Sequence, residues 1–412
     1  MINRRVPEGG DQAGIRHSPG RVEQNRPVIR VLPLTVALVG LVATIGCRDR
    51  SAVVSPTTGS RGPTTAPSRP PGNIYAEAGA HGLRSPASGA PARVYVPNSG
   101  SATVSVIDPA TFRVIDTFRV GVAPQHVVPS FDLHTLWVNN NGGNSLTPID
   151  PLTGKPGKAV PVEDPYNLYF TPDGASAIVV AESRQRLDFR DPRTMALVNS
   201  VEVPCAGVNH LDFSADGRYF IASCEFANAL IKVDTATHQL LGTLELPHNG
   251  GMPQDVRLAP DGTVFYVADM VADGVYVLDG DHFKVAGFVP TGIGAHGLYP
   301  SRDGTRFYVT NRGANKVEGP AHGPGGIAVL DVASRRVVAT WPVPGGGSPD
   351  MGNVSVDGTQ LWVSGRYDRE VYAFDTRSGE LLARIKVGKE PHGLTVWPQP
   401  GRFSLGHTGN MR

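Results

Sequence analysis

"GAHGLYPSRDGTRFYVTN" (residues 294–311) sets two short apolar runs on either side of an Asp-Gly turn. The runs "HGLYP" and "RFYVT" have strand length, and "SRDG" supplies the turn chemistry of a β-hairpin. A second hairpin follows it. Its first strand, "IAVLD", ends at Asp331, and "RVVATWP" returns after a tight turn. Four short strands in about 50 residues form one unit, and the question is whether the unit recurs.

It recurs from residue 93 onward. The Asp-terminated strand appears as "VSVID" (Asp108), "LTPID" (Asp150), "RLDFRD" (Asp191), "LIKVD" (Asp234), "VYVLD" (Asp279), "IAVLD" (Asp331) and "VYAFD" (Asp375). The hairpin turn before it reads "TPDG", "SADG", "APDG", "SRDG" and "VDG" in successive units. A period of 40 to 45 residues with four strands is the signature of a β-propeller blade. Seven copies predict an all-β, seven-bladed propeller of four-stranded antiparallel blades over 93–412. The domain starts on a second strand, "ARVYVPN", and ends on a first strand, "PHGLTVW" (391–397). Sheet edges are not left bare, so these two are expected to pair and close the ring.

The formal net charge is +1 and charged residues make up 18% of the 412-residue chain. That balance gives no basic surface for a polyanion, and a nucleic-acid partner is not expected. Forty-nine Gly and 36 Pro suit many strands joined by turns.

Ahead of the repeats, residues 1–30 are polar and Arg-rich. The uncharged run "VLPLTVALVGLVATIGC" then extends from Val31 to Cys47. It is short for a membrane span, which takes about 20 residues, and suits the apolar core of a signal peptide. The "ATIGC" end resembles a bacterial lipobox, with Thr44 where Leu is usual. That reading makes 1–47 a signal peptide cleaved before a lipidated Cys47. It places the protein outside the cytoplasmic membrane, lipid-anchored to the cell envelope. An uncleaved anchor and plain secretion are the alternatives. Residues 48–92, rich in Ser, Thr, Pro, Gly and Ala with no apolar period, read as a disordered linker. The two remaining cysteines, Cys205 and Cys224, fall on or beside adjacent antiparallel strands. A disulfide is expected in an oxidising compartment; two separate buried thiols are the other reading.

"FYVTNRGAN" and "PHGL", with a "VxVID" strand on a 42-residue spacing, resemble the YVTN-repeat β-propellers. That family is related to surface-layer propellers and, more distantly, to d1-haem propellers. The resemblance covers 93–412 and implies the fold. It does not imply an activity, because the motif residues are mostly blade scaffold.

In a propeller the first strand of each blade, strand A, lines the central channel, and its start faces the usual ligand mouth. Those starts hold His126, Tyr166-Asn167, Asn209-His210, Gln254-Asp255, His296, Asp350 and His392. With His248, His322 and His407, seven of the ten domain histidines fall on this face. The "GHTGN" around His407 matches the end of a B strand. The candidate ligand-binding residues are therefore His126, Asn167, His210, Asp255, His296, Asp350, His392, Arg312 and Arg366. His296, His392 and His210 are the candidate metal ligands, since imidazole is the commonest metal-ligating side chain. The opposing expectation is a hydrated plug of polar side chains.

Three functions fit these residues. The first is a tethered propeller that binds a small ligand, a metal or a protein partner at the channel mouth. The second is a metal-dependent lyase or lactonase-like enzyme, with His296, His392, His210 and Glu225 as bases or ligands. The third is a d1-haem or electron-transfer accessory protein with a haem cofactor, using His296 with Arg312 or Arg366. No GxSxG, P-loop or CxxCH is present.

Overall fold

Each repeat folds as one antiparallel sheet of strands A to D, in sequence order from inside outward. In blade six these are Ala295–Pro300, Arg306–Asn311, Gly326–Asp331 and Arg336–Pro342. The computed structural model describes residues 73–76, 78, 87–407, 410 and 411. Among them lie seven such blades arranged in a ring. The signal segment, Cys47 and most of the expected linker lie outside the described residues. Among the described residues no helix is long and apolar enough to cross a membrane.

The ring closes as the sequence pattern demands. Strand Thr395–Trp397 pairs antiparallel with Arg93–Asn98, Tyr95 opposite Thr395, and serves as strand A of blade one. Burial falls from axis to rim. Strand A of blade four, Val208–Phe213, is buried throughout, whereas its strand D, Leu240–Glu245, is largely exposed. Inner strands are covered on both faces by neighbouring blades and need apolar residues on both. For example, Tyr299 and Tyr308 of blade six share a cluster with Val354, Leu361 and Tyr372 of blade seven.

The turns use the chemistry the repeat announces. Asp375 accepts the N–H groups of Arg377 and Ser378 at 2.9 and 2.7 Å, and Asp303 accepts the Thr305 N–H at 3.0 Å. Cys205 and Cys224 form a disulfide, with Cα atoms 5.9 Å apart.

Two segments depart from the sequence reading. The described end of the 48–92 stretch is docked on the propeller. Ile74 N–H donates to Ala215 O at 2.8 Å, the Tyr75 hydroxyl donates to Asp212, and Ala87 is buried beside Tyr95 and Met411. Tyr75 and Ile74 supply the apolar area that composition averaged over the whole stretch conceals. The second departure concerns "GHTGN", which is not the end of a B strand. Strand Ser404–Gly406 adds to the inner edge of blade three, Gly406 opposite Tyr169, and Asn410–Met411 pairs back on it. The chain after the last A strand thus turns into the channel rather than around the ring.

Candidate metal centre

Strand A does not run straight into the mouth. In blades four to seven its pairing with strand B skips two residues, between Val208 and Leu211, Pro253 and Val256, Ala295 and Leu298, and Pro349 and Gly352. A bulge frees the extra residues from the ladder and re-aims their side chains. His210, Asp255, His296 and Asp350 are the residues so released. A hydroxyl on strand B satisfies the freed backbone. Ser223 accepts the His210 N–H at 3.2 Å, Thr310 accepts that of Gly297 at 2.7 Å, and Ser364 accepts that of Met351 at 3.3 Å. The Thr of "FYVTN" therefore holds a bulge that points His296 at the axis.

Five imidazoles meet there: His126 from blade two, His210 from blade four, His296 from blade six, His392 ahead of strand A of blade one, and His407 after Ser404–Gly406. All five are at most 2% exposed. His126 lies 4.0 Å from His407, 4.8 Å from His392 and 5.6 Å from His210, centroid to centroid. His210 lies 5.0 Å from His407 and 6.3 Å from His296. Tyr166 leans edge-on against His126 at 5.3 Å. Close packing at the axis depends on Gly393. A Cβ there would stand 1.9 Å from His126 Nδ1.

The five rings divide by what their nitrogens touch. Asp350 is fully buried and anchors one group. Its Oδ2 lies 2.6 Å from His392 Nδ1, and its Oδ1 is 3.2 Å from His296 Nδ1 and 2.6 Å from Arg312 Nε. The Tyr166 hydroxyl stands 3.4 Å from the other His392 nitrogen. Burial alone would raise the Asp350 carboxyl, but the Arg312 guanidinium and the two rings hold it well below the usual carboxylate range. Burial would likewise lower Arg312, and the Asp350 charge overrides it and raises it.

The other group is His126, His210 and His407. One nitrogen from each lies within 4.8 Å of the others. Neither ring nitrogen of His126 or His210 has a hydrogen-bond partner within the protein. Burial, reinforced by neighbouring rings, holds His126, His210, His296 and His407 well below the ordinary imidazole range. Burial, against the pull of Asp350, puts His392 at about 4. All five are therefore neutral at pH 7, the form that donates a lone pair to a metal.

Two acids stand close by. Glu225 is buried and accepts from Asn209 Nδ2 at 2.6 Å; burial raises it. Burial, with the Glu225 charge, pushes Glu182 up to about 9. Both act on Tyr166, whose hydroxyl burial already raises well above its ordinary value.

The structure brings together His126, His210, His296, Asp350, His392 and Arg312. It places the remaining candidates elsewhere. Asn167 bonds Tyr169 and the Leu168 N–H of its own strand. Asp255, raised by burial to about 7, accepts the Leu298 N–H at 2.9 Å and ties blade five to blade six. Asp212 makes the same link to Leu258, and Asn353 to Val396. Arg366 touches Ser99 Oγ and Glu390 O at 3.3 and 3.4 Å. Within the expected metal set, His210 lies with His126 and His407, one nitrogen of each within 4.8 Å of the others, whereas His296 and His392 lie beside Asp350. Sequence register placed His407 on the correct face, but nothing in the sequence announced that it would stand on the axis.

The YNCE-like beta-propeller family model matches residues 73–400. No curated protein matches the sequence. Similar solved structures include a protein of unknown function from Desulfotomaculum acetoxidans, at 16% identity and TM-score 0.61, covering 74% of this chain and 99% of that one. A putative 6-phosphogluconolactonase from Bacteroides uniformis matches at 17% identity and TM-score 0.59, covering 74% and 98%. The dihydro-haem d1 dehydrogenase NirN, solved in complex with DHE, matches at 16% identity and TM-score 0.55, covering 74% and 75%. At these identities the likeness extends to the fold.

Proposed function

The chain belongs to the YNCE-like beta-propeller family, and we propose that it binds one first-row transition-metal ion, of the zinc or copper type, through His126, His210 and His407. One observation carries this reading. Two fully buried imidazoles, His126 and His210, leave all four nitrogens without a hydrogen bond inside a three-histidine group spanning 4.8 Å. Buried polar groups are nearly always satisfied, and an unsatisfied one costs about 1–3 kcal/mol. An ion would take up the lone pair of one nitrogen on each ring, leaving the N–H of the other for water. A ligand set of imidazoles alone, without thiolate or bound carboxylate, suits zinc, copper or nickel and not calcium or magnesium.

The Asp350 group has a positioning role. Its carboxylate accepts from His392 Nδ1 at 2.6 Å and so fixes that ring's tautomer beside the three-histidine group. The Arg312 charge neutralises it. A haem fits less well, because five rings 4.0–6.3 Å from their neighbours already fill the axis and a macrocycle would have to displace them. The extracytoplasmic, lipid-anchored setting is part of the proposal, supported by the apolar run ending at Cys47 and by the disulfide.

A second reading is a metal-dependent hydrolase or lyase. It is favoured by three protein ligands, the pattern of catalytic zinc sites that keep an open position, with Tyr166, Glu182 and Glu225 near them. Metal analysis of the purified full chain separates the proposals from a water-filled plug. The expectation is one zinc or copper per chain, lost in His126→Ala and His210→Ala and retained in His296→Ala. If no metal is taken up, or if His296→Ala alone abolishes it, the assignment fails.

A further inference from the structure

The three candidate ligands do not have the same standing in the fold. His126 and His210 sit within strand A of blades two and four, whose pairing with strand B continues on both sides of them. His407 follows Ser404–Gly406, a strand outside the seven blades. Blade three is complete without that strand. Gly406 opposes Tyr169, Ser404 N–H donates to Phe131 O at 3.1 Å, and the Phe403 ring stacks on Phe131 at 4.7 Å. Gly406 has φ +115°, and a Cβ there would lie 2.5 Å from Leu168 O. Leu405, between Ser404 and Gly406, is buried in the core cluster of blades three and four.

Resting on the metal reading, we propose that Ser404–His407 is a metal-dependent latch. An ion bound by His126, His210 and His407 pins this strand inside the channel, and loss of the ion releases it from blade three. The reason is linkage. An ion that needs His407 in place binds the docked state and not the undocked one, so it stabilises docking by the factor by which it saturates the site. At a free ion concentration 100-fold above Kd, the docked-to-undocked ratio rises about 100-fold. The latch also bears on how the ion arrives. His126 and His210 are 0% exposed and His407 is 2% exposed. With the strand docked, all three rings are closed to solvent.

Hydrogen exchange on the full chain, stripped with EDTA and then titrated with zinc, tests this. In zinc at 100-fold over Kd, amides of 404–407 should slow about 100-fold, while the rim strand Arg336–Pro342 keeps its rate. His407→Ala should remove the zinc effect, and so should His126→Ala, which leaves the strand itself unaltered. Thermal melting of the zinc-free variants checks that both remain folded. Zinc bound one per chain through His126 and His210, with exchange at 404–407 unchanged, overturns the latch and leaves the metal reading standing. No zinc uptake at all overturns both.

Discussion

Replacing Asp350 by Asn should destabilise the propeller more than any other single change at the axis. Asp350 is 0% exposed and Arg312 is 4% exposed, with Arg312 Nε and Nη2 each 2.6 Å from Asp350 Oδ1. Among the described residues Asp350 is the sole carboxylate within salt-bridge reach of Arg312. Asn keeps the shape and removes the charge, leaving a guanidinium in a low-dielectric site. Breaking one side of a buried ion pair costs about 3–5 kcal/mol. For a domain of this size, about 2 °C of melting temperature is lost per kcal/mol, so the expected drop is roughly 6–10 °C. Calorimetry of wild type and Asp350→Asn at pH 7, zinc-free, reads it directly. The double variant Asp350→Leu, Arg312→Met removes both charges and should recover most of the loss, because a buried pair replaced by apolar groups is about neutral. A melting point within 2 °C of wild type for Asp350→Asn would refute the reasoning. It would mean that water reaches Arg312 and the axis is wetter than its burial implies.

Other consequences follow from the same geometry. His392 has its folded-state value depressed to about 4, below the roughly 6.5 of the unfolded chain, so the unfolded state binds more protons as pH falls and stability is lost. Between pH 7 and pH 5 this one group contributes a loss of about 2 kcal/mol. Urea melts of wild type and His392→Gln at both pH values should show that difference of differences, and equal acid sensitivity in the two proteins counts against it. Glu182 runs the opposite way. Its folded value of about 9 lies above the unfolded 4.5, so its contribution is present in acid and lost as pH rises toward 9. Glu182→Gln should flatten the alkaline limb of the stability curve, and an unchanged limb argues against a neutral carboxyl at the half-buried Glu182. Gly393→Ala places a Cβ 1.9 Å from His126 Nδ1, and zinc affinity should fall at least 10-fold by competition titration. An unaltered affinity removes His126 from the ligand set. Reducing Cys205–Cys224 opens a loop spanning 19 residues, worth about 3 kcal/mol in chain entropy. Urea midpoints with and without reductant measure it, and coincident midpoints contradict the estimate.

The blades are legible in the repeat pattern. Asp-terminated strands, Asp-Gly turns and an unmatched strand at each end specify seven four-stranded sheets and their closure. These signals are local: a turn residue acts within four positions, and strand alternation within six. The same register sent His126, His210, His296, Asp350 and His392 to one end of the channel, because strand A always starts there. Which of them come into contact depends on how the blades meet at the axis. Asp350 lies within 3.2 Å of His296 and His392, whereas the ring nitrogens of His126 and His210 have no hydrogen-bond partner within the protein, and the curvature of the ring sets which groups meet. His407 entered the cluster because Ser404–Gly406 found an open strand edge on blade three, more than 200 residues earlier in the chain. Pairing of that kind is paid for by burial and backbone bonds at the destination. "GHTGN" carries no local sign of where that destination is.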